Sequence, residues 1–256
     1  VHAPTELHDA VEAYLDDLDL ATELGGLEAA LRYALESGGK RIRPILCLAV
    51  AEAAGGSIDR ALPAACALEL VHTFSLVHDD LPALDDDAER RGRPSAHVAF
   101  GEGVALLAGD ALLAEAFRLV LSYGEPEPAR ELVGATLGMI GGQHRDITGD
   151  DADLAGLHRL KTGRLFSASV GLGLWTAGVP ETEHAPWRAF GDEVGLLFQV
   201  VDDILDADGF AERLGEEGAR TLADESAERT RELLERIPAE TSVLRELVDA
   251  LAVRSG

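Results

Sequence analysis

The chain has 256 residues, 46% of them hydrophobic, and a formal net charge of -25, so it is long enough to bury a substantial core and has no composition typical of disorder. That charge argues against nucleic-acid and anionic-membrane partners, which call for a basic surface. No apolar run reaches the ~18 residues that would span a bilayer, and the start, VHAPTELHDAVEAYLDDL, has no basic stretch leading into an apolar one, so a cytoplasmic protein is expected.

Leu7, Val11, Leu15 and Leu18 recur at helical spacing and predict a first helix; Leu27, Leu31, Ala34 and Leu35 predict a second, stopped at Gly38-Gly39. The same period returns in LPAACALELVHTFSLVHDD (62–80), ALLAGDALLAEAFRLVLS (105–122), RLFSASVGLGLWTAG (164–178), FGDEVGLLFQVVDDILDA (190–207) and LADESAERTRELLERI (222–237). The stretches 61–80 and 191–206 are apolar on more than one face, as suits helices buried in the middle of a bundle. No period-two strand and no internal repeat is evident. The breaks GGSID, YGEPEP and GVPETEHAP are too short to be linkers, so residues 1–256 read as one all-α domain.

Cys47 and Cys66 sit in apolar surroundings and read as core residues. Of the 22 basic residues only Lys40 and Lys161 are lysines, which marks two places where a compact ammonium is wanted. The stretch HDDLPALDDDAERRGRP (78–94) concentrates aspartates at the end of an apolar helix, and DDILD does so again with Asp202, Asp203 and Asp206. Carboxylates placed there need counter-charge. Two such patches lining one cavity suit Mg²⁺, which shares its coordination sphere with substrate phosphates, and neither has the spacing of a calcium loop. Phosphates also need cations, and these cluster in GGKRIRP (Lys40, Arg41, Arg43), ERRGRP (Arg90, Arg91, Arg93) and LKTGR (Lys161, Thr162, Arg164). Each cluster alone could be a helix terminus or a charge balance; together with the aspartates they point to a phosphate-bearing substrate.

In these motifs the chain resembles the trans-isoprenyl diphosphate synthases, or polyprenyl synthetases. DDLPALD matches the family's first aspartate-rich motif in its longer bacterial form and DDILD the second, and LVHTFSLVHDD, GDALL, GGQ, LHRLKTG and FQVVDD also fit. The resemblance implies an isoprenoid synthase fold, a mostly antiparallel helix bundle around a deep central cavity, usually a homodimer. It implies condensation of isopentenyl diphosphate with an allylic diphosphate, with Mg²⁺ at about three ions per site. Asp79, Asp80, Asp85, Lys161, Asp202 and Asp203 would be the catalytic residues, with Asp79, Asp85 and Asp202 holding metal. Arg90, Lys161, Thr162 and Gln199 would contact the allylic substrate, and Lys40, Arg43, His72 and Arg91 would hold isopentenyl diphosphate. Asp80 and Asp86 would add supporting charge, and Arg93 and His78 would serve structure.

Phe74 and Ser75 precede Asp79 by five and four residues, roughly 6 to 8 Å deeper along a helix axis. An aromatic residue at Phe74 resembles short-chain synthases that make farnesyl diphosphate; geranylgeranyl diphosphate is the alternative product. Rival readings are a terpene cyclase, which would need an NSE-type motif, and a non-catalytic synthase subunit, which would not need both aspartate motifs. In a straight helix Asp85 would lie about 120° from Asp79, so a distorted helix end is expected near Pro82. After DDILD the chain also lacks the family's lysine-bearing loop, by roughly twenty residues. Either that loop is lost, opening the mouth, or it belongs to the protein outside this sequence; the mobility of a loop closing over diphosphate favours the second.

Overall fold

The computed structural model describes residues 1–149 and 153–253. Twelve α-helices carry the fold among them. Helix α1 (Pro4–Asp16) starts on a proline, with Glu6 reaching back 2.7 Å to the Ala3 amide, and buries Leu7, Val11 and Leu15. A 3₁₀ turn (Thr22–Leu27) leads into α2 (Glu28–Leu35). Helix α3 (Ile42–Ala53) is buried from Pro44 to Ala51 and is entered through Arg41 in a left-handed conformation (φ 45°). Helix α4 (Ile58–Asp79) follows, then a hairpin of β1 (Glu89–Arg90) and β2 (Arg93–Pro94), α5 (Ala96–Phe100), α6 (Glu102–Leu121), α7 (Pro126–Ile147) and α8 (Leu154–His158). A π-helical turn over Arg159–Gly163 joins α8 to α9 (Arg164–Ala177). The chain ends with α10 (Ala185–Asp206), α11 (Gly209–Glu235) and α12 (Ser242–Ala252).

The all-α expectation holds, and every helix read from periodicity is present. Five helices that were not singled out, α3, α7 and α12 with the short α5 and α8, complete the bundle, and the short ladder in ERRGRP departs from the strand-free reading. The hairpin turns through Arg91 (φ 53°) and Gly92 (φ 77°), both left-handed. Helix α4 lies centrally against α3, α6 and α9, and α10 is packed by α9 and α11. One contiguous apolar core runs from Leu7 to Leu251. Among the described residues α4 is long and apolar enough to cross a membrane by length and composition, yet 67% of that stretch is buried within the fold.

Pro63 interrupts α4, and Tyr123 repairs the interruption from outside. Its hydroxyl accepts from the Ala64 amide (3.1 Å) and donates to the Arg60 carbonyl (2.6 Å), a pair that a helix would ordinarily join directly.

At its other end α4 stops at Asp79. The chain turns back so that the Asp85 amide donates to the Asp79 carbonyl (2.9 Å), with Asp86 at φ 53°. This is the distorted helix end expected at Pro82. Helix α10 ends at Asp206, and only Ala207, in the left-handed region (φ 58°), and Asp208 separate it from α11, so no further loop follows the second aspartate motif here.

Candidate active site

A cavity of about 710 Å³ opens between α3, α4, α7, the π turn and α10. Lys40, Arg43, His72, Phe74, Ser75, Asp79, Arg90, Arg91, Lys161, Thr162 and Asp202 all line it, so residues far apart in the chain converge on one space. Asp79, at the end of α4, and Asp202, near the end of α10, come from different walls.

Four of the sequence-selected residues stand apart from the lining. Asp85 is exposed. Asp80 is 3% exposed and grips Arg90 in a fork, with contacts of 2.5 and 2.7 Å, so it orients the guanidinium from behind. Asp203 is 2% exposed; it accepts from the Gln199 side-chain amide (2.6 Å) and the Phe210 backbone amide (2.8 Å) and lies 3.5 Å from His158 Nε2. Asp203 and Gln199 therefore tie α10 to the start of α11, and burial keeps the His158 imidazole below its usual pKa.

The cationic wall is assembled by backbone geometry. Arg91 donates to the Gly38 carbonyl, and the GGK turn passes close to the same guanidinium, from which a Cβ on Gly39 would lie 2.6 Å; the φ of 148° at Gly39 is what favours glycine there. Arg41, 4% exposed, binds Glu12 (2.5 Å), Glu69 (2.7 Å) and the Leu35 carbonyl (2.7 Å), fixing the turn between Lys40 and Arg43. Arg43 lies over the Phe166 ring at 4.6 Å, its Nε has no hydrogen-bond partner, and burial lowers it to about 10 against the pull of Glu69 and Asp202. Burial, with Arg43 and Arg91 nearby, holds His72 well below the usual imidazole range, so it is neutral. Lys161 sits on the π turn, 2.5 Å from Asp146 of α7; Arg93, outside the cavity, stacks on Tyr33 at 4.2 Å. Cys47 and Cys66 are unpaired and buried.

Several lining residues were missed by sequence reasoning. Gln143 lines the cavity with both side-chain amide atoms buried and unbonded, and Glu69 and the apolar Met139, Ile140, Leu165 and Phe198 complete the walls. The GGQ signal pointed to the first of these: a Cβ on Gly142 would lie 2.4 Å from the Lys161 amide, so this glycine allows α7 to touch the π turn beside Gln143.

Among the described residues no three His, Cys, Asp or Glu side chains form a ready-made metal cage. The donor set still fits a hard divalent cation. Burial, reinforced by Asp85 and opposed by Lys161, pushes the Asp79 carboxyl up to about 6, and carboxylate oxygens are the ligands such a cation takes. Carboxylates on two walls beside a cationic rim leave the rest of a coordination sphere to phosphate oxygens.

Residues 25–230 match the family model described as polyprenyl synthetase. The chain is 41% identical over 241 residues to the geranylgeranyl diphosphate synthase of Cyanophora paradoxa, covering 87% of this chain and 80% of that one. It is 35% identical to the farnesyl diphosphate synthase of Bacillus subtilis, covering 97% and 94%. That second match spans 282 positions, so the relative carries residues that this chain lacks. Among solved structures, the geranyltransferase of Legionella pneumophila superposes with a TM-score of 0.87 at 33% identity, covering 98% of this chain and 96% of that one. The geranyltranstransferase of Thermotoga maritima does so at 0.86 and 29%, covering 99% of both. With these motifs gathered on one cavity, the chain belongs to the polyprenyl synthetase family and is a prenyltransferase of the trans-prenyl diphosphate synthase type.

Proposed function

We propose that this enzyme condenses isopentenyl diphosphate with dimethylallyl or geranyl diphosphate and releases all-trans farnesyl diphosphate. The observation that carries the product length is Phe74, which lines the cavity on α4 below Asp79 and is 7% exposed. Relatives are named for both farnesyl and geranylgeranyl products, so the choice rests on this residue.

In this reading Asp79, Asp85 and Asp202 hold Mg²⁺, about three ions with the substrate bound. The metal supplies Lewis-acid charge that favours departure of the allylic diphosphate. Lys161 and Arg90, the latter aimed by Asp80, take up the negative charge that develops on the leaving group. Thr162, on the π turn, lies beside it. Lys40, Arg43 and Arg91 hold isopentenyl diphosphate, and the neutral His72 donates to it without adding charge. The allylic C–O bond breaks, the isopentenyl double bond supplies the electron pair for the new C–C bond, and the leaving diphosphate takes the proton that restores an alkene. Phe74, Leu165 and Phe198 keep water from the cation.

We further read residues 1–256 as one catalytic domain, cytoplasmic and homodimeric. The dimer is supported by an exposed apolar band on α6 and α7, including Leu106, Leu107, Val133 and Leu137, the last three 54%, 40% and 65% exposed. In a chain of net charge -25, α7 has no acidic residue from 132 to 145, so a second acidic copy meets little repulsion there. One relative, from Arabidopsis thaliana, is named as the large subunit of a heterodimeric geranylgeranyl pyrophosphate synthase.

Phe74→Ala tests the product assignment: the purified variant is expected to make products longer than C15, and an unchanged C15 distribution would sink it.

A further inference from the structure

We propose that His78 is a second determinant of product length, acting as a brace behind Phe74 with Gly109 of α6 providing its seat; the inference deepens the synthase reading and rests on it.

Phe74 and His78 are one helical turn apart, so their side chains share a face of α4, and a helical side chain leans back toward the preceding turn. The rings meet edge to face with centroids 5.0 Å apart. Both line the cavity. The far side of the imidazole is pinned to α6: Nε2 lies 2.9 Å from the Leu106 carbonyl and 4.0 Å from Asp110 Oδ1. The fit against α6 is tight enough that a Cβ on Gly109 would lie 2.2 Å from Nε2 and 2.3 Å from Cδ2. The imidazole is thus clamped between the Phe74 ring and the α6 backbone.

The clamp gives the wall two parts. Phe74 blocks the growing chain only while it cannot swing toward α6, and His78 occupies the volume into which it would swing. Removing the imidazole frees that volume and deepens the cavity. Adding a methyl at Gly109 pushes the imidazole the other way, toward Phe74 and the cavity, and makes it shallower. A residue that merely supported the fold would change total turnover without moving the product lengths in opposite directions.

The test is the chain-length distribution made by wild-type, His78→Ala, His78→Asn and Gly109→Ala enzymes with excess isopentenyl diphosphate and dimethylallyl diphosphate. The expected result is a ratio of C20 to C15 product raised roughly tenfold in His78→Ala, the scale on which a pocket senses a small change in apolar volume. Gly109→Ala is expected to shift product toward C10. His78→Asn, which keeps a donor for the Leu106 carbonyl but removes the ring, is expected to follow His78→Ala and serves if the alanine variant does not fold. Active His78 variants with the wild-type distribution would overturn the brace, as would a Gly109→Ala enzyme making longer products. A wild-type enzyme that elongates nothing would overturn the synthase reading together with it.

Discussion

Asp202 and Asp203 are neighbours in the chain that face about 100° apart on one helix. Asp202 looks into the cavity, whereas Asp203 is buried against the start of α11 and accepts from Gln199 and Phe210. Their substitutions should therefore separate. Asp202→Asn is expected to lower kcat/KM by on the order of 10²–10³ with an unchanged melting temperature. Asp203→Ala strands a backbone amide and a side-chain amide and is expected to cost about 1–3 kcal/mol in denaturant unfolding; equal thermal stability of the two variants would contradict this division. The motif DDILD announced three carboxylates, but nothing in its letters says which faces the cavity, because that depends on how α10 is rotated against α9 and α11. The same holds for Asp80, legible as charge but recognisable as the partner of Arg90 only once the chain has turned back through the hairpin. Gln143 carried a weaker signal, one polar residue after a glycine pair, and its place at the cavity becomes visible only with the approach of α7 to the π turn.

At the scale of elements, periodicity carried the buried helices, where apolar residues repeat over several turns. It passed over α7, whose four glycines between 134 and 142 thin out the pattern, and α3, whose apolar residues cover every face. The π turn at Arg159–Gly163 has no sequence period of its own; one extra residue in a helical turn arises from packing against α7 and α10. The bridge from Tyr123 to α4 is likewise tertiary. Tyr123→Phe would leave the Ala64 amide and the Arg60 carbonyl without it, and a loss of about 1–3 kcal/mol in urea-induced unfolding is expected. A variant as stable as the parent would show that the proline-containing turn holds itself.

Over the whole molecule, charge and apolarity are unevenly spread: the net charge of -25 sits on a chain whose α7 face is apolar and free of carboxylates from 132 to 145. Leu137, 65% exposed at the middle of that face, is the place to add one. If the proposed dimer uses this face, Leu137→Glu is expected to weaken self-association at least about 100-fold, as for a charge set into an apolar contact; sedimentation velocity that shows a dimer for parent and variant alike would remove this face from the account, and a monomeric parent would remove the dimer. The central claim is chemical. Purified protein incubated with Mg²⁺, isopentenyl diphosphate and dimethylallyl diphosphate, followed by chromatography of the dephosphorylated products, is expected to yield farnesol as the main alcohol and nothing when the metal is chelated. Hydrocarbon in place of an alcohol, no elongation, or geranylgeraniol as the main product would contradict it.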